Sequence, residues 1–148
     1  LFQEALDEYL LCDDLGINVV SNEHHAGINC LLGASPLILG ILARQTRNVR
    51  ILSLGTLITV RTDPVRVAEE MAMLDVMSGG RFLLGAAIGY KPDEFALYGA
   101  TLEKRGARFE EQLAVMKALW TQDRVADQPD LPLWRLPLDQ TSAEFSES

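Results

Sequence analysis

Two nearly continuous apolar segments limit the possible folds of this chain more than any other feature of its sequence. The segment "VRILSLGTLIT" covers residues 49–59, and "RFLLGAAIG" covers residues 81–89. Strands with apolar residues at successive positions are covered on both faces, which is typical of parallel sheets flanked by helices. Residues 17–21 form a shorter β-branched segment, the third strand that we predict. We therefore expect an α/β fold with a parallel sheet.

Helical segments alternate with these strands. Apolar residues recur at helical spacing in four segments: 2–15, 36–46, 65–77 and 105–120. Two of these helices follow a capping residue and a proline, Ser35 with Pro36 and Asp63 with Pro64. Strand–helix–strand units form right-handed crossovers in a parallel sheet. Two architectures remain open at this point, an open doubly wound sheet and part of a (β/α)8 TIM barrel.

The regular pattern stops near residue 122, and we treat residues 1–122 as one α/β domain. The segment that follows, 123–148, contains three prolines and shows no clear period. Proline-rich polar segments without periodicity do not build regular elements. We expect residues 123–148 to form an irregular, partly disordered tail.

Composition and charge narrow the class of partner. The chain has 148 residues, of which 48% are hydrophobic and 23% charged, and its formal net charge is -8. Nucleic acids and anionic membrane surfaces are bound through clustered Lys and Arg, so we predict neither as a partner. No apolar run reaches the length of a membrane-spanning helix. These features favour a cytoplasmic protein that binds a small molecule or another protein.

The chain contains two histidines, His24 and His25, adjacent in "NEHH" after the first predicted strand. Neighbouring side chains on a strand point to opposite faces, so both would not face one ligand while the strand continues. A zinc site needs three or four nitrogen or sulfur ligands, and the two cysteines, Cys12 and Cys30, lack CxxC spacing. We predict no metal site, and reduced cysteines with packing roles.

Two interpretations of the histidines stay open from the residues alone. They could form a half-buried pair with a structural role. In both architectures, however, ligands bind at the C-terminal ends of the parallel strands, so residues 23–25, 55–59 and 86–90 would converge on one site. This convergence favours a functional role.

Common phosphate-binding and hydrolase motifs do not occur in the sequence. There is no Walker A lysine motif and no GxSxG motif, and Gly85 and Gly89 stand four apart, which is not GxGxxG spacing. What remains is a histidine and several glycines at strand ends in apolar surroundings, which suits a flat, partly apolar ligand. The acidic residues of the third predicted helix indicate a solvated face with at most one capping or pairing role: Glu69, Glu70 and Asp75.

Four segments, in this order, resemble the N-terminal half of the bacterial luciferase-like monooxygenase family: "NEHH", "SPLILGILARQTRNVRILSLGTLI", "DPVRVAEEMAMLDVMSGGRFLLG" and "GYKPDEFALYG". The resemblance runs from about Phe2 to Trp120. It implies a partial (β/α)8 barrel that binds reduced FMN, or in related members the deazaflavin F420, at the C-terminal ends of its strands. Members insert oxygen into a small organic substrate or transfer a hydride, and the cofactor carries this chemistry.

The same resemblance assigns roles to the residues of "EHH". His24 matches the first histidine, which lies beside the isoalloxazine ring and helps proton transfer there, so His24 is the candidate catalytic residue. His25 matches the second histidine and is a candidate cofactor contact. Glu23 is expected to be an orienting or structural partner.

Five further residues are implied at the cofactor. Gly55 and Thr56 match the end of the third barrel strand, where the family often places a non-proline cis peptide, so we expect the bond between them to be cis. Ala87 stands where luciferase has a reactive cysteine, and Ile88 where an arginine touches the cofactor phosphate; Gly89 follows them. Neither light emission nor that arginine contact is therefore expected.

A complete barrel of this type needs roughly 250 residues, and this chain has 148. We expect about half a barrel, with three parallel strands and four helices, that has little activity alone and forms homo-oligomers or associates through its open sheet edges. Two alternatives stay open: a non-catalytic half-barrel that pairs with itself or with another subunit, and a truncated gene product without function.

Overall fold

The structure of the protein is a computed structural model that describes residues 2–25, 27 and 32–122. The predicted tail, 123–148, lies outside these residues. A 3-10 turn, Ile58–Val60, continues the second strand. The helices and strands follow in the order α1 (Phe2–Leu15), β1 (Val19–Ser21), α2 (Ser35–Gln45), β2 (Ile51–Leu57), α3 (Pro64–Ser78), β3 (Phe82–Ala87), α4 (Pro92–Leu97) and α5 (Arg105–Thr121).

The three strands form one parallel sheet in the order β1, β2, β3. The register pairs Val19 with Ile51, and Ile51 with Phe82. A helix lies in each connection, α2 between β1 and β2 and α3 between β2 and β3. The predicted parallel α/β sheet is confirmed.

Helices cover one face of this sheet. Val19, Ile51 and Phe82 are buried on that face and pack in one apolar core with residues of α2, α3 and α5. The strand residues that alternate with them lie on the other face, where Val20 and Leu83 are 48% and 38% exposed. The apolar segments predict that both faces of the sheet are buried. Within the described residues, only one face is. The uncovered face is itself apolar.

The capping signal at Asp63 is confirmed. Its Oδ1 accepts hydrogen bonds from the backbone N of Val65 at 3.0 Å and of Arg66 at 3.1 Å. At the other end, α3 is followed by Gly79 with a φ of 67°, the left-handed conformation that commonly ends a helix. The helix that Asp63 and Pro64 predict is therefore bounded as its residues indicate.

The capping role predicted for Ser35 is wrong. Ser35 is the first residue of α2, Ala34 occupies the N-cap position, and no side chain caps this helix. The Ser35 side chain is buried and its hydroxyl donates to Glu23 Oε2 at 2.8 Å. A buried carboxylate depends on protein donors, whereas an exposed helix end can be hydrated, and this difference decides where the hydroxyl points.

Two other elements differ from the sequence prediction. β2 ends at Leu57, because the backbone tightens into the 3-10 turn at residues that the apolar segment assigned to the strand. α4 was not predicted, since six residues are too few to show a helical period. Pro92 occupies the first turn of α4, where its missing N–H costs no hydrogen bond.

A non-proline cis peptide bond joins Leu54 to Gly55. The predicted cis bond, between Gly55 and Thr56, is therefore misplaced by one residue. The pairing of β2 with β3 shifts between Leu54 and Thr56, so Gly55 is an extra residue in β2. A Cβ on Gly55 would lie 2.8 Å from the Cβ of Ala87, so a side chain at this point would collide with β3.

The predicted packing role of the cysteines is met by the one that the structure describes. Cys12 is a free, half-buried thiol that packs against the core, while Cys30 lies outside the described residues. Within the described ranges, no three His, Cys, Asp or Glu side chains are grouped so that they could hold a metal ion. None of the helices in those ranges has the length and apolar character needed to cross a membrane.

Candidate active site

The two histidines face opposite sides of the chain, as strand geometry predicts. Burial alternates beyond the end of β1: Glu23 and His25 are buried, whereas Asn22 and His24 are exposed. His24 thus continues the exposed positions of Val20 and Asn22. His25 lies on the side of the helices.

The His25 imidazole is bonded at both ring nitrogens. Its Nε2 lies 3.0 Å from Glu23 Oε1, and its Nδ1 lies 2.8 Å from the hydroxyl of Tyr98. The two rings meet edge to face with centroids 4.8 Å apart. The backbone N–H of His25 donates to Glu94 Oε1 at 3.1 Å. His25 is therefore held through both its side chain and its backbone.

Glu23 is the centre of this cluster. Its side chain is buried, with the residue only 3% exposed. In addition to its contact with His25, it accepts hydrogen bonds from the Ser35 hydroxyl and from Arg61 Nη2, the latter at 3.0 Å. Arg61 also donates through Nη1 to Glu70 Oε2 at 2.9 Å, which gives Glu70 the pairing role left open for the acidic face. A carboxylate with three donors, one of them cationic, can stay charged although it is buried.

Tyr98 closes the cluster from the segment after α4. Burial, followed by the charge of Glu23, raises the pKa of its hydroxyl above the ordinary value. The hydroxyl therefore stays protonated at neutral pH and is available as a donor to His25 Nδ1.

The cofactor residues implied by the resemblance lie at the ends of the two neighbouring strands. Gly55 and Ala87 are in direct contact across β2 and β3, as the closeness of their Cβ positions requires. Thr56 is fully buried and its hydroxyl bonds to that of Ser53, so its side chain faces the helices. A ligand on the uncovered face of the sheet could therefore contact Thr56 only through its backbone.

The turn after β3 holds the other two implied residues. Ile88 is 42% exposed and its carbonyl accepts a hydrogen bond from Thr59 Oγ1 at 2.7 Å. Gly89 has a φ of 71°, and a Cβ there would lie 2.9 Å from the ring of Phe95. Because the strands are parallel, these residues and His24 lie at the same C-terminal edge of the sheet.

Sequence reasoning missed most of the cluster that surrounds His25. The sequence predicts a helix cap at Ser35, and it assigns no role to Arg61, Glu94 or Tyr98. The four-residue spacing of Glu94 and Tyr98 behind Pro92 is a helical signal that would have placed both on one side of a short helix. Arg61 carries no such signal, because its role depends on two carboxylates from distant parts of the chain.

Comparison with known proteins gives a consistent picture. Residues 2–132 match a family model described as luciferase-like monooxygenase. The oxygenase component of the flavin-dependent trigonelline monooxygenase of Acinetobacter baylyi is 28% identical over 167 aligned positions, covering 99% of this chain and 46% of that protein. The crystal structure of the monooxygenase RslO1 from Streptomyces bottropensis superposes with a TM-score of 0.80 at 30% identity, covering 95% of this chain and 44% of the other.

Two further structures share the fold at lower identity. One is the oxygenating constituent of 3,6-diketocamphane monooxygenase from Pseudomonas putida in complex with FMN, with a TM-score of 0.74, 21% identity, and coverage of 80% of this chain and 35% of that one. The other is an F420-dependent secondary alcohol dehydrogenase with an F420–acetone adduct, at 0.77 and 23%, covering 92% of this chain and 44% of that one. The chain thus spans less than half of each of these proteins. Of the two predicted architectures, the partial (β/α)8 barrel is confirmed.

Proposed function

The chain belongs to the luciferase-like monooxygenase family, and from this premise we propose that it forms the N-terminal part of the active site of an FMN- or F420-dependent oxidoreductase. The observation that carries the proposal is the C-terminal edge of the sheet. There an exposed imidazole, His24, follows β1, while Gly55 lies two residues before the end of β2 and Ile88 directly follows β3. Ligands of barrel enzymes bind at this edge.

His24 is the residue that we assign to proton transfer. His24 is exposed, and its Nε2 lies 3.4 Å from Asn22 Nδ2. An imidazole can donate a proton from one nitrogen and accept one at the other, which suits it to act as a general acid or base. His25 cannot take this part, because both of its ring nitrogens are engaged within the protein.

The residues at the edge fit a flat ring. Gly55 packs against Ala87, whose side chain is a single methyl group, so neither residue projects a large side chain toward a bound ring. Leu54 is 56% exposed and offers an apolar surface that would exclude water. The bound cofactor supplies the redox chemistry. Ile88 has no charge to offer a phosphate, so we assign the phosphate to residues beyond this chain.

The substrate that we propose is a small organic molecule, because Leu54, Ala87 and Ile88 give this edge an apolar surface beside His24. We also place the protein in the cytoplasm, as its composition predicts. A non-catalytic half-barrel that self-associates is the second candidate. It is favoured by the exposure of Val20, Leu54 and Leu83 on the uncovered face of the sheet.

Cofactor binding tests the proposal. We expect reduced FMN or F420, but not NADH, to bind a hybrid in which this chain is joined to the C-terminal half of RslO1, as measured by fluorescence titration. Circular dichroism would first establish that the hybrid is folded. A folded hybrid that binds neither cofactor would contradict the proposed function and favour the non-catalytic half-barrel.

A further inference from the structure

The His25 side chain has a hydrogen-bond partner at each ring nitrogen, and the proposed chemistry does not use it. We propose that Glu94 and Tyr98 are positioning residues that act through His25 to hold His24 in place at the edge. The inference rests on the proposed function only for the role of His24. The contacts that carry it are those of His25.

When the His25 ring is neutral, its side-chain contacts decide which ring nitrogen carries the hydrogen. Glu23 Oε2 accepts hydrogen bonds from Arg61 and from the Ser35 hydroxyl, and as the partner of a guanidinium the carboxylate acts as an acceptor at its other oxygen as well. His25 Nε2, at 3.0 Å from that carboxylate, must therefore carry a hydrogen. Nδ1 is then the acceptor for the Tyr98 hydroxyl in the neutral ring. The ring is held as the Nε2–H tautomer in one orientation.

The hydrogen bond from the His25 backbone to Glu94 also restrains the backbone of His24. The peptide group between the two histidines contains the His24 carbonyl and the His25 N–H, and that N–H donates to Glu94 Oε1 at 3.1 Å. A Cβ on Gly33 would lie 3.7 Å from the same carbonyl, so the segment before α2 is in van der Waals range of it. Since a peptide group is planar, fixing its N–H also fixes the direction in which the His24 backbone enters it.

The two positioning residues join separate strand ends. Glu94 and Tyr98 follow β3, and they stand 69 and 73 positions beyond His25 in the chain. Their contacts with His25 therefore connect the end of β1 to the segment after β3. These two strands lie on either side of β2. A ring bound at this edge would meet His24 at a distance that these contacts determine. A displacement of about 1 Å can cost a factor of 10² in rate.

The tautomer can be measured directly, because the chain has only two histidines. We expect long-range ¹H–¹⁵N spectra of the full chain, carrying Leu83→Lys to limit association and labelled with ¹⁵N-histidine, to show one ring, His25, as the Nε2–H tautomer, with the His24→Gln variant assigning the other ring. A His25 ring found as the Nδ1–H tautomer, or as a mixture of both, would overturn the proposal.

Substitutions separate positioning from general stability. We expect Tyr98→Phe to change the ring signals of both histidines, whereas Thr121→Val, which removes an exposed hydroxyl at the C-terminal end of α5, should leave them unchanged. Glu94→Ala should speed amide exchange at His25 by about tenfold, the equivalent of one hydrogen bond, and shift the His24 signals. Glu94→Gln keeps an acceptor oxygen and should restore both. Unchanged amide exchange in β2 would show that the variants are folded.

The positioning effect and the proposed function can fail independently. If Tyr98→Phe and Glu94→Ala alter His25 but leave His24 as in the parent chain, the positioning inference is wrong whatever binds there. In the folded hybrid with RslO1, added FMN or F420 should perturb the His24 signals, and less so with Tyr98→Phe. If neither cofactor perturbs His24 while both substitutions still move it, the proposed function fails and the positioning result stands.

Discussion

At the scale of single residues, His24 and His25 are adjacent, but the first is exposed and the second is buried with a partner at each ring nitrogen. We expect His24→Ala, in the hybrid with RslO1, to lower turnover by roughly 10² to 10⁴, the range for a lost general acid or base, and to leave the midpoint of thermal unfolding unchanged because the ring is exposed. His25→Ala should lower the free energy of unfolding by about 2 kcal/mol or more, since it removes a buried ring with two polar contacts.

Turnover measured with reduced cofactor, together with thermal unfolding of the same samples, checks this pair of variants. A His24→Ala protein that unfolds at a clearly lower temperature, or that loses no more turnover than one with Asn22→Ala, would show that His24 has a structural role instead.

The opposite orientation of these two side chains could be predicted, because the period of a strand depends on local backbone geometry alone. The partners of His25 could not. Ser35, Arg61 and Tyr98 reach the cluster from three different segments, and their positions depend on how α2 and α3 pack on the sheet. Ser35 shows the limit most clearly, because its local sequence favours a cap while a buried carboxylate takes its hydroxyl.

At the scale of elements, one side chain of α1 organises the connection that leads into β2. Asp13 accepts hydrogen bonds from three successive backbone N–H groups: those of Arg47 at 2.9 Å, Asn48 at 2.8 Å and Val49 at 3.0 Å. These bonds, chiefly the one from Asn48, hold the pKa of the Asp13 carboxyl below its ordinary value. The charged carboxylate therefore stabilises the fold above the pKa of the unfolded chain, about 4, and this stabilisation is lost as the pH falls through the lower, folded-state value.

We accordingly expect Asp13→Asn to lower the free energy of unfolding at pH 7. As the pH falls below about 4, the free energy of unfolding should decrease less in this variant than in the parent chain. Asp14→Asn, at the exposed neighbouring position of the same helix, should change neither quantity. Urea unfolding at a series of pH values measures both variants. Parallel acid profiles for the parent and Asp13→Asn would contradict this account of the connection.

Elements with strong local signals could be predicted closely, and those shaped by their neighbours could not. α1 occupies Phe2–Leu15, the full range that its apolar spacing indicates, and α3 begins where Asp63 and Pro64 indicate. The end of β2 depends on contact with β3 at Gly55 and on the 3-10 turn that follows, and neither has a signature in the local sequence.

At the scale of the whole molecule, the sheet is covered on one side and open at both edges within the described residues. β1 and β3 each pair with β2 alone, so each leaves one row of backbone N–H and C=O groups without a strand partner. The uncovered face presents Val20, Leu54 and Leu83, all more than a third exposed. Apolar faces and free strand edges of this kind favour association with other chains.

We therefore expect the isolated 148-residue chain to form oligomers or larger aggregates and to show little or no flavin-dependent turnover. Leu83→Lys should raise the monomer fraction in light scattering, because it places a charge on the uncovered face. Leu37→Lys, at a 73% exposed position on α2 away from the sheet, should leave the association unchanged. If the parent chain is a monomer that unfolds cooperatively and turns over steadily with reduced flavin, then the open sheet does not drive association and half of the barrel is sufficient for catalysis.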